Sequence, residues 1–372
     1  MSKPIPGASE TLAFLNEHNI PFILLTNGGG KHETDRVKDL SEKLGVSLTT
    51  DNFVQSHTPF QELVDGPDGL RDKTILVTGA DAQLCRSIAE RYGFRSVVTP
   101  ADILAAEPEV YPFDPLMKSV YASTARPLPR PLYRQQIQPG KRSSLSPSSS
   151  LKIDAIFVFN DPRDWALDIQ LIADLLLSQR GHLGTYSPLN GDATLPRCGW
   201  QGDGQPPLYF SNADLFWSTG YPLPRFGQGA FQAALRGVWR RVTGGQELVR
   251  RQMGKPSAET YRFAERVLGA HRSELLRGSG GGETGGVRGG SEVLKSVYMI
   301  GDNPESDIAG ANSYASEVGA DWRSVLVRTG VWDSERHGED ALAGHFKPDV
   351  VVDDVRGAVR WALEQEGWKG VF

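Results

Sequence analysis

The sequence predicts an α/β fold in which a parallel sheet, built from both ends of the chain, is interrupted by a second α/β unit. Three observations carry this reading. Near the N-terminus the apolar run Phe22-Ile23-Leu24-Leu25 ends in Thr26-Asn27 and Gly28-Gly29-Gly30, and a polar helix over Glu33–Leu44 follows. Strand, glycine turn and helix make the βα unit of a parallel sheet. The rhythm returns near the C-terminus, where the apolar strand 297–300 runs into Gly301-Asp302-Asn303-Pro304-Glu305-Ser306-Asp307. Between these ends, residues 66–228 alternate apolar strands and amphipathic helices of their own.

Taken in order, Ala8, Leu12 and Leu15 recur at helical spacing and lead into a strand over 21–26. In the insertion, Thr74–Thr78 reads as a strand, Ala82–Tyr92 as a helix and 95–99 as a strand. Residues 153–159 are apolar apart from Asp154, and Trp165–Leu177 is strongly amphipathic; 208–211 is a further short strand. In the last part, 256–268 is helical with Tyr261, Ala264 and Leu268 on one face. Strands follow at 297–300, 324–327 and 348–352, and then a helix with Val355, Val359 and Leu363 at i, i+4 and i+8. The expected organisation is a first core part at 1–65, an inserted domain at 66–228 and a second core part at 229–372. Two low-complexity stretches, 139–150 and 278–290, carry too little apolar surface to offset the entropy of ordering them, and are expected to be disordered surface insertions. The glycine-rich one has no Gly-Lys-Ser/Thr ending and no strand just before it, which argues against a phosphate loop.

Composition narrows the function classes. With 372 residues, 39% apolar and 23% charged, the chain can bury a sizeable core. A net charge of −5, from 45 acidic and 40 basic residues, gives no global case for nucleic acid or an anionic membrane surface. No apolar run approaches the roughly 18 residues of a membrane span. Cys85 and Cys198 lie far apart without metal-type spacing, which favours a reducing compartment and no disulfide. The residues from Met1 show neither a signal-peptide apolar region nor an Arg-rich presequence. His18, His32 and His57 fall in polar contexts and His337 in a loop, with no credible Ser or Cys nucleophile beside any of them and no zinc spacing.

Three segments carry candidate chemistry. Thr26, Asn27 and Gly28 end a strand, where the ligand crevice of a parallel sheet lies, so the hydroxyl and amide are placed to donate to phosphate; the same residues also favour a plain turn. Lys255, just before Pro256, sits by an expected helix N-terminus, where anions are attracted; an ordinary solvated lysine is the alternative. Asp302, Asn303 and Asp307 are hard oxygen ligands at a sheet edge and suit Mg²⁺, which takes one or two carboxylates together with substrate phosphate. Asn212 and Asp214, followed by the segment 217–229, join the insertion back to the core as a hinge or as part of a pocket. Arg236, Arg240, Arg241, Arg250 and Arg251 form a basic run around Lys255, read as a solvated face or an anion attractor.

Together Thr26-Asn27, Gly254-Lys255-Pro256 and the 297–310 loop resemble motifs II, III and IV of the haloacid dehalogenase (HAD) superfamily, subclass IIA. The strings Pro4-Ile5-Pro6-Gly7-Ala8, Gly254-Lys255-Pro256 and 297–310 are similar to the cat-eye-syndrome candidate protein-like subfamily, which includes mitochondrial fungal relatives. The resemblance implies a Rossmann-like three-layer core with an inserted α/β cap of the C2 type, Mg²⁺, and phosphate-ester hydrolysis through an aspartyl-phosphate. It implies Lys255 as the catalytic lysine, Asn212 and Asp214 in cap closure, and a small phosphorylated molecule or lipid-linked phosphate ester as partner. It implies a mitochondrial location, with the cytoplasm as the alternative. Motif I, whose first Asp attacks phosphorus and whose second is the acid/base, belongs shortly before Pro6 and is missing from this chain. Asp35, Asp39 and Asp51 all follow motif II, so an in-frame Asp-x-Asp-Gly-Val is expected just upstream of Met1. Without it this chain is expected to be inactive, and the strands of motifs II and IV lose the central strand between them, at about 1–3 kcal/mol per buried orphan group. A non-catalytic phosphate- and Mg²⁺-binding module and a structural partner without ligand are the competing readings.

Overall fold

Apolar strands separated by capped helices build four sheets among the described residues, and the two largest are parallel. The computed structural model describes residues 4–133, 149–217, 219–278, 294–332, 338, 342–370 and 372. The stretches expected to be disordered, 139–150 and 278–290, lie outside the described residues except for Ser149, Ser150 and Gly278, and His337 lies outside them too. In chain order the first part holds α1 (Ala8–Glu17), β1 (Leu24–Leu25), α2 (Glu33–Leu44) and β2 (Phe53–Val54). The insertion holds β3 (Thr74–Thr78), α3 (Ala82–Tyr92), β4 (Ser96–Val98), α4 (Pro100–Ala106), α5 (Lys118–Thr124), β5 (Ala155–Val158), α6 (Trp165–Leu177) and β6 (Leu208–Phe210). A hairpin, β7 (Phe216–Trp217) and β8 (Arg225–Phe226), leads to α7 (Gln228–Val242) and β9 (Arg251–Gln252). The last part holds α8 (Ala258–Gly278), β10 (Ser296–Gly301), α9 (Ala309–Ser313), β11 (Asp321–Val327), β12 (Val350–Val352) and α10 (Val355–Gln365).

The insertion is a parallel five-stranded sheet in the order β4-β3-β5-β6-β9. Its central strand β5 is buried along its whole length, as the middle of a parallel sheet covered on both faces must be. Successive side chains point to opposite faces. Ile156 and Val158 therefore join the apolar layer under α4, α5, α6 and α7, while Ala155, Phe157 and Phe159 join the layer under α3. Asp81 caps α3 by accepting from Leu84 N at 2.9 Å, and Gly93 ends it at φ 110°. The boundary expected at 228 does not coincide with the edge of this sheet. α7 packs Phe231, Leu235 and Trp239 into its core, and β9 pairs with β6. A two-residue strand carries no periodic signal, which is why the sequence attached 229–252 to the other unit.

The core strands β10-β11-β12 form one parallel ladder, with Ser296 opposite Asp321 and Val325 opposite Val350. Among the described residues β1 pairs only with β2 and shares no ladder with β10. This explains why the strand expected over 21–26 shortens to Leu24–Leu25: paired along one edge by a two-residue neighbour, it has little ladder to extend it. Side chains of β1 and β10 still meet, since Leu24 and Ile300 join one apolar cluster and Leu25 and Met299 another. α8 starts at Ala258 rather than Pro256, after a turn in which Ser257 N donates to Gly254 O at 2.8 Å.

Both cysteines are free, and burial pushes the Cys85 thiol up to about 12. No helix among the described residues is long and apolar enough to cross a membrane.

One buried carboxyl makes the insertion pH-sensitive. Asp168 on α6 accepts from Thr78 Oγ1 at 2.5 Å, and burial, reinforced by Asp164, pushes it up to about 7. In the unfolded chain such a group ionises near 3.9. Between those values the unfolded state sheds a proton that the folded state keeps, so stability falls as pH rises through the window. At about 1.4 kcal/mol per unit, the loss approaches roughly 4 kcal/mol above pH 7. Asp168→Asn is therefore expected to raise Tm relative to the wild type by several degrees more at pH 8 than at pH 4.5. A pH-independent difference would refute the assignment.

Candidate functional site

The end of β1 is anchored before any ligand is considered. Thr26 N donates to Val54 O at 3.0 Å, and Thr26 Oγ1 accepts from Gly28 N at 3.0 Å. The acceptor role leaves the hydroxyl hydrogen free to point at an anion. Asn27 is buried. Its Oδ1 accepts from Lys255 N at 2.7 Å, and its amide donates to Lys255 O at 2.9 Å and to Asp214 Oδ1 at 3.0 Å. Both amide hydrogens are thus engaged by protein. The side chain of Asn27 is a strut behind Lys255, not the phosphate donor expected from the sequence.

Lys255 occupies the turn between β9 and α8. Gly254 has φ 79°, and a Cβ there would lie 2.3 Å from Ser211 O, so only glycine fits. The lysine is 8% exposed. Its Nζ donates to Leu25 O at 3.1 Å and to Asp307 Oδ1 at 2.5 Å, which ties the end of β1 to the loop after β10. An ammonium has three donors, so one remains for a ligand.

Beyond β10 the chain turns through Asp302 and Asn303 into a short helical segment at Pro304–Ile308. Asp307 is 2% exposed, and its Oδ2 accepts from Asn303 N at 3.0 Å. Gly301 is required beside it, because a Cβ there would lie 2.1 Å from Asp307 Oδ2. Asp302 Oδ2 accepts from Val331 N at 2.7 Å, and Gly330 is equally constrained, its Cβ falling 1.8 Å from that oxygen. Tyr261 OH lies 3.0 Å from the carbonyl oxygens of both Ser306 and Asp307 and braces the loop. Asn303 Oδ1 accepts from Glu305 N at 3.0 Å and so caps the turn. The donor set that remains, Asp302 and Asp307, is two hard carboxylates with lone pairs to spare, and it fits Mg²⁺ completed by water and phosphate oxygens. Among the described residues no group of three or more His, Cys, Asp or Glu forms an all-protein metal cage.

Asn212 and Asp214 arrive at the same place. Asn212 Nδ2 donates to Asn27 O at 3.2 Å, and Asp214 N donates to Asn212 Oδ1 at 2.8 Å. Burial pushes the Asp214 carboxyl up to about 6, against the opposing pull of Asn27 and Lys255. The basic run fits the solvated face: Arg240, Arg241 and Arg251 are exposed, Arg236 and Arg240 pair with Glu247, and Arg251 lies over the Tyr209 ring.

Sequence reasoning missed three parts of this arrangement. The loop Gly330-Val331-Trp332, which holds Asp302, follows the carboxyl end of β11, and the parallel-sheet rule could have marked it. Tyr261 was read only as a core position. His57, taken for a polar-context residue, is fully buried; burial pushes it down to about 4, and its Nδ1 lies 2.7 Å from Tyr92 OH.

The chain is similar to known proteins along nearly its whole length. Residues 1–95 match a family described as haloacid dehalogenase-like hydrolase, and residues 252–358 match one described as HAD-hydrolase-like. The chain is 37% identical over 370 residues to a Saccharomyces cerevisiae protein named mitochondrial hydrolase, covering 98% of this chain and 92% of that one. It is also 37% identical over 357 residues to a Schizosaccharomyces pombe protein named cardiolipin synthase (CMP-forming) / mitochondrial hydrolase fusion protein. That match covers 96% of this chain and 50% of the fusion, so the chain spans half of that relative's length. Among solved structures, a glycerol phosphate phosphatase of Mycobacterium tuberculosis in complex with magnesium shares the fold, with a TM-score of 0.50 and 18% identity over 96% of this chain and 71% of that one.

Proposed function

The chain belongs to the haloacid dehalogenase superfamily of hydrolases, and from that premise we propose that the ends of β1 and β10 hold a phosphate monoester together with Mg²⁺. The observation that carries this reading is the position of Lys255. Its ammonium bridges Leu25 O and Asp307 Oδ1, with the free hydroxyl hydrogen of Thr26 at the end of the same strand β1. Lys255 supplies positive charge and one hydrogen bond to a phosphate oxygen, and Thr26 supplies a second. Asp302 and Asp307 would hold the metal, which when bound offsets phosphate charge. Asn27 orients Lys255 through both backbone atoms, and Asp214 places a carboxyl that changes charge near pH 6 beside them.

Hydrolysis through an aspartyl-phosphate needs a nucleophile, and residues 1–34 contain no aspartate. Asp35, the first in the sequence, is ion-paired with Arg91 at 2.8 Å. The residues named above therefore account for binding the ester, and the attacking carboxylate is not among them. The unpaired edges of β1 and β10 favour a second reading, in which an added strand bearing Asp-x-Asp completes the sheet and confers hydrolysis. The names of the two fungal relatives support a mitochondrial location and a small or lipid-linked phosphate ester.

Thermal unfolding tests the binding reading. Mg²⁺ with inorganic phosphate is expected to raise Tm by several degrees, since a ligand at 100 times its Kd contributes about 2.7 kcal/mol. Neither addition alone should match the pair, and Asp302→Asn should abolish the joint effect. Absence of any shift would sink the reading, and phosphate release from p-nitrophenyl phosphate by this chain would show that binding is not all it does.

A further inference from the structure

Two arginines just ahead of Lys255 carry charge that the folded chain does not compensate. Arg250 is half-buried, and its Nε donates to Gln232 Oε1 at 3.1 Å. Arg251 Nη1 donates to Tyr209 OH at 3.2 Å. Among the described residues neither joins an ion pair, whereas Arg236, Arg240, Arg262 and Arg266 each meet a carboxylate. A guanidinium has five N–H donors, so both keep donors for a ligand. Burial and the neighbouring Arg236 push the Arg250 guanidinium down from its usual range, and the Nε of Arg236 is itself buried without a hydrogen-bond partner. Like charges gathered in a half-buried place oppose one another, and a bound anion would relieve both.

Arg250 and Arg251 line a cavity of about 750 Å³, a volume typical of small-molecule sites. It lies where the insertion joins the core: Pro59 and Leu63 come from the first connection, and Ala213 from the second. Thr26, Lys255, Asp302 and Asp307 do not line it, so it is a space apart from the candidate phosphate and metal site. Its other charges are mostly spent. Glu62 pairs with Arg266, Arg262 pairs with Glu317 at 2.7 Å, and Glu259 accepts from Ser257 Oγ at 2.6 Å. Two unpaired guanidinium groups therefore outweigh one unpaired carboxylate. Successive strand residues point to opposite faces, so Arg250 and Arg251, at the start of the edge strand β9, flank that edge instead of converging on one point. That arrangement suits two anionic groups in one ligand, each met by a planar guanidinium fork. Pro59, Leu63 and Met253 add an apolar wall that two bare phosphates would leave uncovered.

We propose that this cavity is a second anion site, one that takes an organic diphosphate of nucleotide size, with its phosphates on Arg250 and Arg251 and its body on Pro59, Leu63 and Met253. Titration calorimetry of the full chain in EDTA, with ADP, pyrophosphate and adenosine, tests this. Leaving out Mg²⁺ removes the metal on which the other site depends. ADP is expected to bind at least tenfold more tightly than either fragment, about 1.4 kcal/mol, because each fragment offers half of the recognition. Arg250→Gln/Arg251→Gln should lose at least that factor in ADP affinity, with a urea midpoint no lower than that of the wild type. The exposed Arg251→Gln alone should lose part of it. Asp302→Asn should leave ADP affinity unchanged, whether or not the other site binds phosphate. Pyrophosphate or adenosine binding as tightly as ADP, or ADP affinity that both arginine variants retain, overturns the proposal. Loss of ADP binding in Asp302→Asn assigns the ligand to the phosphate and metal site and overturns it as well.

Discussion

Replacing Lys255 with methionine is expected to destabilise the folded chain by about 3–5 kcal/mol, the cost of leaving one partner of a buried ion pair uncompensated. The side chains of Lys255 and Asp307 are 10% and 3% exposed, so solvent screening relieves little of it. Methionine keeps the volume and flexibility of the lysine stem, which isolates the charge as the cause. Asp307 would keep the Asn303 N–H but lose its cation, and Leu25 O would lose its donor. In urea the midpoint should fall with an unchanged slope. Adding Asp307→Asn should recover part of the loss, because the orphaned charge goes with it. A midpoint shift worth less than about 1 kcal/mol, outside the range for broken buried pairs, would mean that the bridge between β1 and β10 does not carry the load assigned to it.

The second large effect is expected inside the insertion, at Arg86 and Asp102. Arg86 Nη2 donates to both carboxylate oxygens of Asp102 at 2.6 Å and to Thr99 Oγ1 at 2.7 Å, and the pair is almost wholly buried. The two single substitutions are not equivalent. Arg86→Met leaves a carboxylate that still accepts from Thr99 N at 2.8 Å and Arg126 N at 2.6 Å, so its cost should lie near 3 kcal/mol. Asp102→Leu strands a guanidinium with only the Thr99 hydroxyl, and also removes a cap from α4, so its cost should reach about 5 kcal/mol. The double variant is expected to regain most of this, falling short by the cap, about 1 kcal/mol. Urea midpoints of the four proteins check the order. Equal losses in the two single variants would show that the backbone donors do not shield Asp102.

The outcomes of the sequence reading follow the range of the interactions involved. The helices Ala82–Tyr92 and Trp165–Leu177 and the strand Thr74–Thr78 were legible because their apolar periods are local, as are the Asp81 and Asp164 caps of the helices and the Gly93 stop of the first. The loop Gly301–Asp307 was legible for the same reason, since both carboxylates and the turn that presents them are contiguous. Asn27, by contrast, meets Asp214 across 187 positions and Lys255 across 228. No local pattern announces that its amide is consumed by that meeting. His57 has polar neighbours in sequence yet packs between Tyr92 and Phe159.

The sequence by itself determined the class of fold and the order of its strands and helices, and it singled out Thr26, Lys255, Asp302 and Asp307 as candidates for one site. These are short-range properties: side-chain period sets strand or helix, and turn chemistry sets where a strand ends. Only the tertiary structure decided that α7 and β9 close the insertion's sheet and that Asn27 serves Lys255 instead of a ligand. It also decided that Gly301 and Gly330 clear space for two carboxylates. Those outcomes depend on which surfaces remain unburied once the local elements have formed, and close packing between distant segments settles that.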